Sequence, residues 1–263
     1  MTEAGAVADL AHSWEIRGPA VVTGAGQGLG RAFALALAGA GVAVAVADRA
    51  GDQAIAVAAE IEAAGGTSIP VQVDVSDEAS VSALAAAVLA DLGTPAVLVN
   101  NAAIFSTLQM GPFDQIEPAV WDQVMRVNVT GTWLACRALV PLMSAAGYGK
   151  VVNISSATIW TGRPGYLHYV TSKAALLGLT RALAAEVGPS GVRVNAITPG
   201  STETEIRRDT ITAQSRSLMA EATALRRAQV PADLIGAVLF LSSTSSDFVT
   251  GQTVNVDGGL AFH

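Results

Sequence analysis

The feature that most constrains this chain is a repeated alternation of short apolar runs with Ala- and Leu-rich helical stretches. Residues 19–23, 42–47, 68–73, 95–99, 150–155, 191–197 and 252–256 each read as a strand. Helical patterns fill residues 28–40, 52–64, 77–92, about 118–146, 166–187 and 231–242. The run Val42-Ala-Val-Ala-Val-Ala47 is apolar at every position. Strands buried on both faces have that pattern, and such strands belong to parallel sheets. Glycines and caps mark the helix ends: Gly65-Gly66 closes one helix, Ser76 or Asp77 opens another, and Gly93 follows it. Strand–helix alternation of this kind predicts an α/β fold: a single-domain Rossmann fold with a doubly wound, seven-stranded parallel sheet and helices on both faces. No Pro/Ser-rich linker divides the 263 residues, so 1–263 reads as one domain, with 1–17 as an N-terminal extension. The polar stretch 201–227, lying between a strand and a helix, is the expected substrate lid.

Composition removes several function classes. The chain is 51% apolar, 14% charged and carries a formal net charge of −7. Disorder is excluded by that apolar fraction. An acidic chain lacks the cations that displace counterions from phosphates, so no nucleic-acid partner is expected. One cysteine, Cys136, and three scattered histidines, His12, His168 and His263, make neither a disulfide nor a zinc site. No metal is therefore expected. The uncharged run 32–47 is shorter than the roughly 20 residues a membrane span needs, and Gly39 and Gly41 split it. Residues 1–5 show no basic or apolar leader pattern. A soluble, cytoplasmic protein without a membrane partner is the expectation. Lysine is scarce, with only Lys150 and Lys173 against thirteen arginines.

The first strand runs into Thr23-Gly-Ala-Gly-Gln-Gly-Leu-Gly30, which opens the first helix. The spacing is G-x-x-x-G-x-G through Gly24, Gly28 and Gly30, not G-x-G-x-x-G. Its logic is the same: small residues let the backbone approach a pyrophosphate at a helix N-terminus. An ordinary Gly-rich turn would read alike. The second strand ends in Asp48, where a carboxylate can accept hydrogen bonds from adenosine ribose hydroxyls. It would repel a 2′-phosphate, so NAD is expected over NADP. Arg49 argues mildly the other way, while Gln27 supplies no second cation.

Tyr169-Val-Thr-Ser-Lys173 sets a phenol and an ammonium four residues apart, on one helix face. A free tyrosine has a pKa of about 10, and a neighbouring cation lowers it toward working pH. Tyr169 could then exchange a proton with a substrate oxygen. Ser156 lies at the end of the strand Val-Val-Asn-Ile-Ser-Ser, at the sheet edge where ligands bind. Ser155 competes with it, and period-2 geometry points the two side chains apart.

Read together, these motifs identify a resemblance. The order T-G-x-x-x-G-x-G, Asp74-Val75, Asn100-Asn-Ala-Ala103, Asn128, Asn153-Ile-Ser-Ser156, Y-x-x-x-K and Pro199-Gly200 resembles the short-chain dehydrogenases/reductases over about residues 18–262. The resemblance implies roles by position. Tyr169 would be the general acid/base, and Lys173 would hold the nicotinamide ribose. Ser156 would orient the substrate oxygen, and Asn128 would hold a water in a proton relay. Gly24, Gln27, Gly28, Leu29, Gly30, Asp48 and Arg49 would cradle the phosphates and adenosine ribose. Asp74 and Val75 would meet the adenine, and Asn101, Ala102 and Ala103 would line the ribose. Pro199, Gly200, Thr202 and Thr204 would meet the nicotinamide. Ala103 stands where the family most often has glycine, and polar Ser201-Thr202 replaces a usual apolar pair.

Hydride transfer at a secondary alcohol or ketone follows from that resemblance. Ile104, Phe105, Trp160, Tyr166 and His168 are the expected pocket residues, which suits a small apolar or aryl substrate. The run Ser-Ser-Ala-Thr-Ile-Trp160 is similar to dehydrogenases of the 1-phenylethanol type. A 3-oxoacyl-[acyl-carrier-protein] reductase is the main alternative. Residues 144–148 and 188–191 carry none of the basic residues an acidic carrier protein would need. A non-catalytic dinucleotide sensor or scaffold is the alternative of another class. The C-terminal segment 248–259 resembles the tetramer-forming end of the family, so a homotetramer is expected.

Overall fold

The computed structural model describes residues 14–206 and 213–262. His12, His263 and residues 207–212 of the expected lid lie outside them. Seven strands form one parallel sheet in the order β3-β2-β1-β4-β5-β6-β7. They are β1 (Ala20–Thr23), β2 (Val44–Asp48), β3 (Ser68–Gln72), β4 (Val97–Asn100), β5 (Gly149–Ile154), β6 (Val192–Pro199) and β7 (Thr253–Val256). The order reverses between β1 and β4, the switch point at which a doubly wound sheet opens a crevice.

Adjacent residues of β1 explain why the strands are apolar throughout. Val22 faces a core with Phe33, Leu37, Ile61, Leu234 and Val238. Val21 faces the opposite core, with Leu84, Val88, Leu139 and Met143. Each fully buried Val or Leu contributes about 1.5–3 kcal/mol relative to exposure, so a polar residue on either face of the strand would be costly. Register carries the pattern across the sheet, with Val22 beside Val46 on one side and Val99 on the other.

The helices are α1 (Gly28–Gly39), α2 (Gly51–Ala63), α3 (Glu78–Asp91), α4 (Pro118–Met125), α5 (Gly131–Ala145), α6 (Thr158–Thr161), α7 (Leu167–Val187), α8 (Ala213–Ala222) and α9 (Ala232–Ser242). Asp77, one of the two expected caps, accepts a hydrogen bond from the Ser80 amide at 2.9 Å. The second strand begins at Val44, not at residue 42. The reason is local. The amides of Gly41 and Val42 donate back to Ala38 and Leu37, closing α1, with Gly41 at φ +84°. Val42 therefore finishes a helix before the chain can join the sheet.

Two further differences bear on function. The expected continuous helix over about 118–146 is interrupted by a π-helical turn, Arg126–Thr130. The polar stretch 201–227 holds a helix, α8, after a parallel bridge between Thr202 and Gln229. No helix among the described residues is long and apolar enough to cross a membrane.

Candidate active site

The C-terminal ends of the strands border a cavity of about 820 Å³. Its wall runs from Asp48, Arg49, Asp74 and Val75 at one end, past Gly24, Gln27 and Leu29, to Asn101–Phe105, Ser156, Tyr169 and Lys173. Pro199, Gly200, Thr202 and Thr204 close another side. Most residues singled out from the sequence therefore meet in one space.

The glycine loop has two kinds of member. Gly24, Gln27 and Leu29 border the cavity, whereas Gly28 and Gly30 are absent from its wall. A Cβ on Gly30 would stand 2.0 Å from the Gly24 carbonyl oxygen. Glycine there lets the helix start pass against the loop. Asn101 ties the same loop down, its Nδ2 donating to the carbonyls of Thr23 at 3.1 Å and Gly24 at 3.0 Å. Thr23 Oγ1 accepts from the Asn101 and Ala102 amides at 3.1 and 3.2 Å.

At the far end, Asp48 accepts the Gly26 amide at 2.8 Å and the Ala50 amide at 2.9 Å. Those contacts fix its carboxylate, which still has acceptor capacity for hydroxyls. Asp74 accepts from both the amide and the hydroxyl of Ser76, and those bonds hold its carboxyl below the usual range. A helix start, a fixed acceptor beside Arg49 and a polar wall suit a dinucleotide with its adenosine at Asp48.

The reactive end is assembled by β5 and α7. Ser155 turns inward, its hydroxyl donating to the Lys173 carbonyl at 2.8 Å. Ser156 Oγ instead accepts from the amide and hydroxyl of Thr158, at 3.2 and 2.9 Å. Its own proton is left to donate. Thr158, on α6, thus orients Ser156, a role no sequence signal indicated. Lys173 Nζ donates to the Ile154 carbonyl at 2.8 Å and stands 5.8 Å from the Tyr169 ring centroid. Burial pulls its pKa down to about 8, since a low-dielectric site disfavours the charged form.

Asn128 is fully buried and lies outside the cavity wall. The π turn aims it at the loop after β4, where Oδ1 accepts the Ile104 amide at 2.8 Å. Its Nδ2 donates to Ser172 Oγ at 3.0 Å, next to Lys173. Such turns interrupt helices frequently at functional sites. The side chain thereby links the pocket loop to the helix carrying Tyr169 and Lys173.

The expected pocket residues divide into two groups. Phe105 and Ile104 border the cavity, but Trp160, Tyr166 and His168 do not. Trp160 donates its indole N–H to Thr198 Oγ1 at 3.2 Å and borders a separate shallow hollow with Arg181. Tyr166 packs behind Phe105, ring centroids 5.6 Å apart, while Phe105 meets Tyr169 at 4.3 Å. His168 is buried, and burial lowers its pKa.

Arg163, which sequence reasoning passed over, enters the wall, as does Glu205 of the expected lid. A Glu205 carboxylate oxygen accepts the Gly28 amide at 2.8 Å, across 177 residues of sequence. Ile206 accompanies it, its Cδ1 lying 2.7 Å from where a Gly28 Cβ would be. The donor expected to meet a phosphate thus holds an internal anion.

A glycine-rich strand–helix turn at the switch point, an acidic strand end and a buried Ser/Tyr/Lys group define a dinucleotide-dependent α/β oxidoreductase. A family described as enoyl-(acyl carrier protein) reductase matches residues 24–261, and the chain belongs to the short-chain dehydrogenase/reductase family. It is 37% identical to a probable galactose dehydrogenase of Rhizobium meliloti, over 81% of this chain and 83% of that one. Its fold matches a gluconate 5-dehydrogenase from Burkholderia cenocepacia in complex with NADP and tartrate. The TM-score there is 0.88 at 35% identity, covering 94% of this chain and 96% of the other. A 7α-hydroxysteroid dehydrogenase complexed with NADH and 7-oxo glycochenodeoxycholic acid gives 0.89 at 33% identity, covering 94% and 96%.

Proposed function

We propose that the protein transfers hydride between NAD(H) and a secondary alcohol or ketone, of small apolar or aryl type. The observation that carries this reading is the meeting of Ser156, Tyr169 and Lys173 at the end of the cavity away from Asp48. The dinucleotide, when bound, accepts or supplies the hydride. Tyr169 exchanges a proton with the substrate oxygen. Lys173 binds the nicotinamide ribose and, while protonated, favours the phenolate by its charge. Ser156 donates its hydroxyl proton to the reacting oxygen and so fixes its position. Asn128 serves the relay by positioning: it holds the Ile104 loop and Ser172 around the lysine.

NAD is preferred over NADP in this reading because the Asp48 carboxylate, fixed by two amides, would face a 2′-phosphate. Gly24, Gln27 and Leu29 border the phosphates; Gly28 contributes its amide once Glu205 has moved. Asp74 and Val75 take the adenine, Asn101 to Ala103 the ribose, and Pro199, Gly200, Thr202 and Thr204 the nicotinamide. Within the expected lid, the described residues 201–206 and 213–227 would cover the substrate. The carrier-protein alternative lacks basic residues at 144–148 and 188–191. A homotetramer in the cytoplasm completes the reading, and a monomer by light scattering would remove the tetramer from it.

The test is a panel of secondary alcohols and ketones run with NAD(H) and NADP(H) in parallel. Turnover is expected with NAD(H), at higher kcat/KM than with NADP(H). Absence of turnover with every substrate, or full turnover by Tyr169→Phe, would overturn the enzyme reading and leave a sensor or scaffold.

A further inference from the structure

The geometry points to a substrate that carries a carboxylate distant from its reacting carbon, with Arg163 as the residue that reads it; this rests on the hydride-transfer reading above. Arg163 lies on the turn between α6 and α7, in the wall of the cavity. Its guanidinium carbon stands 5.3 Å from the Tyr166 ring centroid. Nη1 approaches Sδ of Met219 on α8 at 3.8 Å. A ring face and a thioether hold the planar fork in place without neutralising it.

Among the described residues, no carboxylate lies within ion-pair distance of Arg163. Three other charged groups of the wall are engaged elsewhere. Arg227 makes a bidentate pair with Asp233, at 2.7 and 2.6 Å. Glu205 holds the Gly28 amide. Asp257 accepts the amides of Gly259, Leu260 and Ala261. A partly buried guanidinium with no carboxylate partner among the described residues keeps donors available to an anion. A carboxylate matches that fork with two parallel hydrogen bonds.

The spacing sets the substrate's shape. Two packed rings separate the tyrosine from the guanidinium: Phe105 lies 4.3 Å from Tyr169 and 5.6 Å from Tyr166, which sits behind the wall, and Arg163 stacks on Tyr166 at 5.3 Å. A molecule with its oxygen at Tyr169 lays an apolar spacer along Phe105 before its far end reaches the guanidinium. An oxo acid with an aryl or several-carbon spacer fits.

Two matched pairs test this: 4-acetylbenzoate against its methyl ester, and 5-oxohexanoate against its methyl ester, reduced with NADH and with NADPH. In the wild type the acid of at least one pair is expected to exceed its ester by about tenfold or more in kcat/KM, the scale of a charge-assisted bidentate contact. In Arg163→Gln the ratio is expected to fall toward one, chiefly through KM, and Arg163→Lys should restore part of it. If Arg163→Gln fails to fold, the wild-type ratio at low and high salt serves instead, and it should shrink as salt screens the pair. Esters reduced as well as acids, a ratio untouched by Arg163→Gln, or a salt-independent ratio overturns the assignment. If neither acid nor ester is reduced, calorimetry of 4-acetylbenzoate with dinucleotide-saturated enzyme separates the two failures. Binding by wild type and not by Arg163→Gln upholds Arg163 and overturns the hydride-transfer reading. No binding by wild type overturns the carboxylate assignment.

Discussion

The chain's two lysines are both buried, one on a strand and one on a helix packed against the sheet, and they are treated in opposite ways. Lys150, on β5, is fully buried at the end of the strand remote from the cavity. Its ammonium meets Asp247 at 2.8 Å and donates to Ser246 Oγ at 3.0 Å. Lys173, on α7, is 3% exposed and has only the Ile154 carbonyl at 2.8 Å as a hydrogen-bond acceptor among the described residues. Burial pulls both pKa values down, but at Lys150 the Asp247 carboxylate pushes back, and at Lys173 nothing does. One cation is compensated by the fold. The other is left uncompensated beside a tyrosine, at the edge where a ligand can interact with it.

Removing each charge should separate the two cases. Lys173→Met is expected to lower kcat by about 10²–10⁴, the range for losing acid–base assistance, with little loss of stability. Steady-state kinetics alongside chemical denaturation would show it, and a variant as active as wild type would erase the contrast. Lys150→Met should do the reverse. It leaves Asp247 with Arg193 at 3.6 Å as its remaining ion-pair partner among the described residues and should cost about 1–3 kcal/mol in folding free energy, with kcat retained where the protein is folded. Urea unfolding measures that loss, and Lys150→Met combined with Asp247→Leu should recover part of it.

A pH series sharpens the comparison further. Burial pulls the Lys173 pKa from its ordinary 10.5 to about 8 in the folded chain. Below about 8 both states hold the proton, and the burial penalty is present in full. Between about 8 and 10.5 the unfolded chain binds a proton that the folded chain has released, so this group's contribution raises stability as pH rises. Dinucleotide binding should run the other way, with Kd increasing several-fold from pH 7 to 9.5 as the cation is lost. A flat Kd over that range would mean that Lys173 keeps its proton. The smallest expected effect is Glu205→Gln, which weakens the hold on the Gly28 amide and should tighten dinucleotide binding a few-fold. Fluorescence titration would detect it, and unchanged or weaker binding would show that the carboxylate does not compete.

How much of this could be read in the sequence varies by region. The strands were legible because both faces of each are buried, so composition alone marks them. Helix ends were legible where a cap or glycine acts locally, as at Asp77. The start of β2 was not, because the Gly41 turn retains Val42 for α1. Helix α8 was missed because its sequence, Ala-Gln-Ser-Arg-Ser-Leu-Met-Ala-Glu-Ala, has almost no apolar stripe. The Ser/Tyr/Lys group was legible because its members sit at fixed short spacings on one strand end and one helix. Trp160, Tyr166 and His168 stand outside the cavity wall because a short helix and a two-glycine turn, not strand or helix periodicity, decide where that segment points. Arg163 and Glu205 act through contacts with distant segments, and no local pattern signals such contacts.

The bond between Glu205 and Gly28 also bears on how a cofactor could come and go. Any phosphate that takes the Gly28 amide must evict a carboxylate tethered nearby, at an effective concentration fixed by the chain itself. Arrival and departure are then anion exchanges, in which that amide passes from one negative group to another. The apparent affinity is the intrinsic one scaled by the fraction of molecules whose tethered carboxylate has let go.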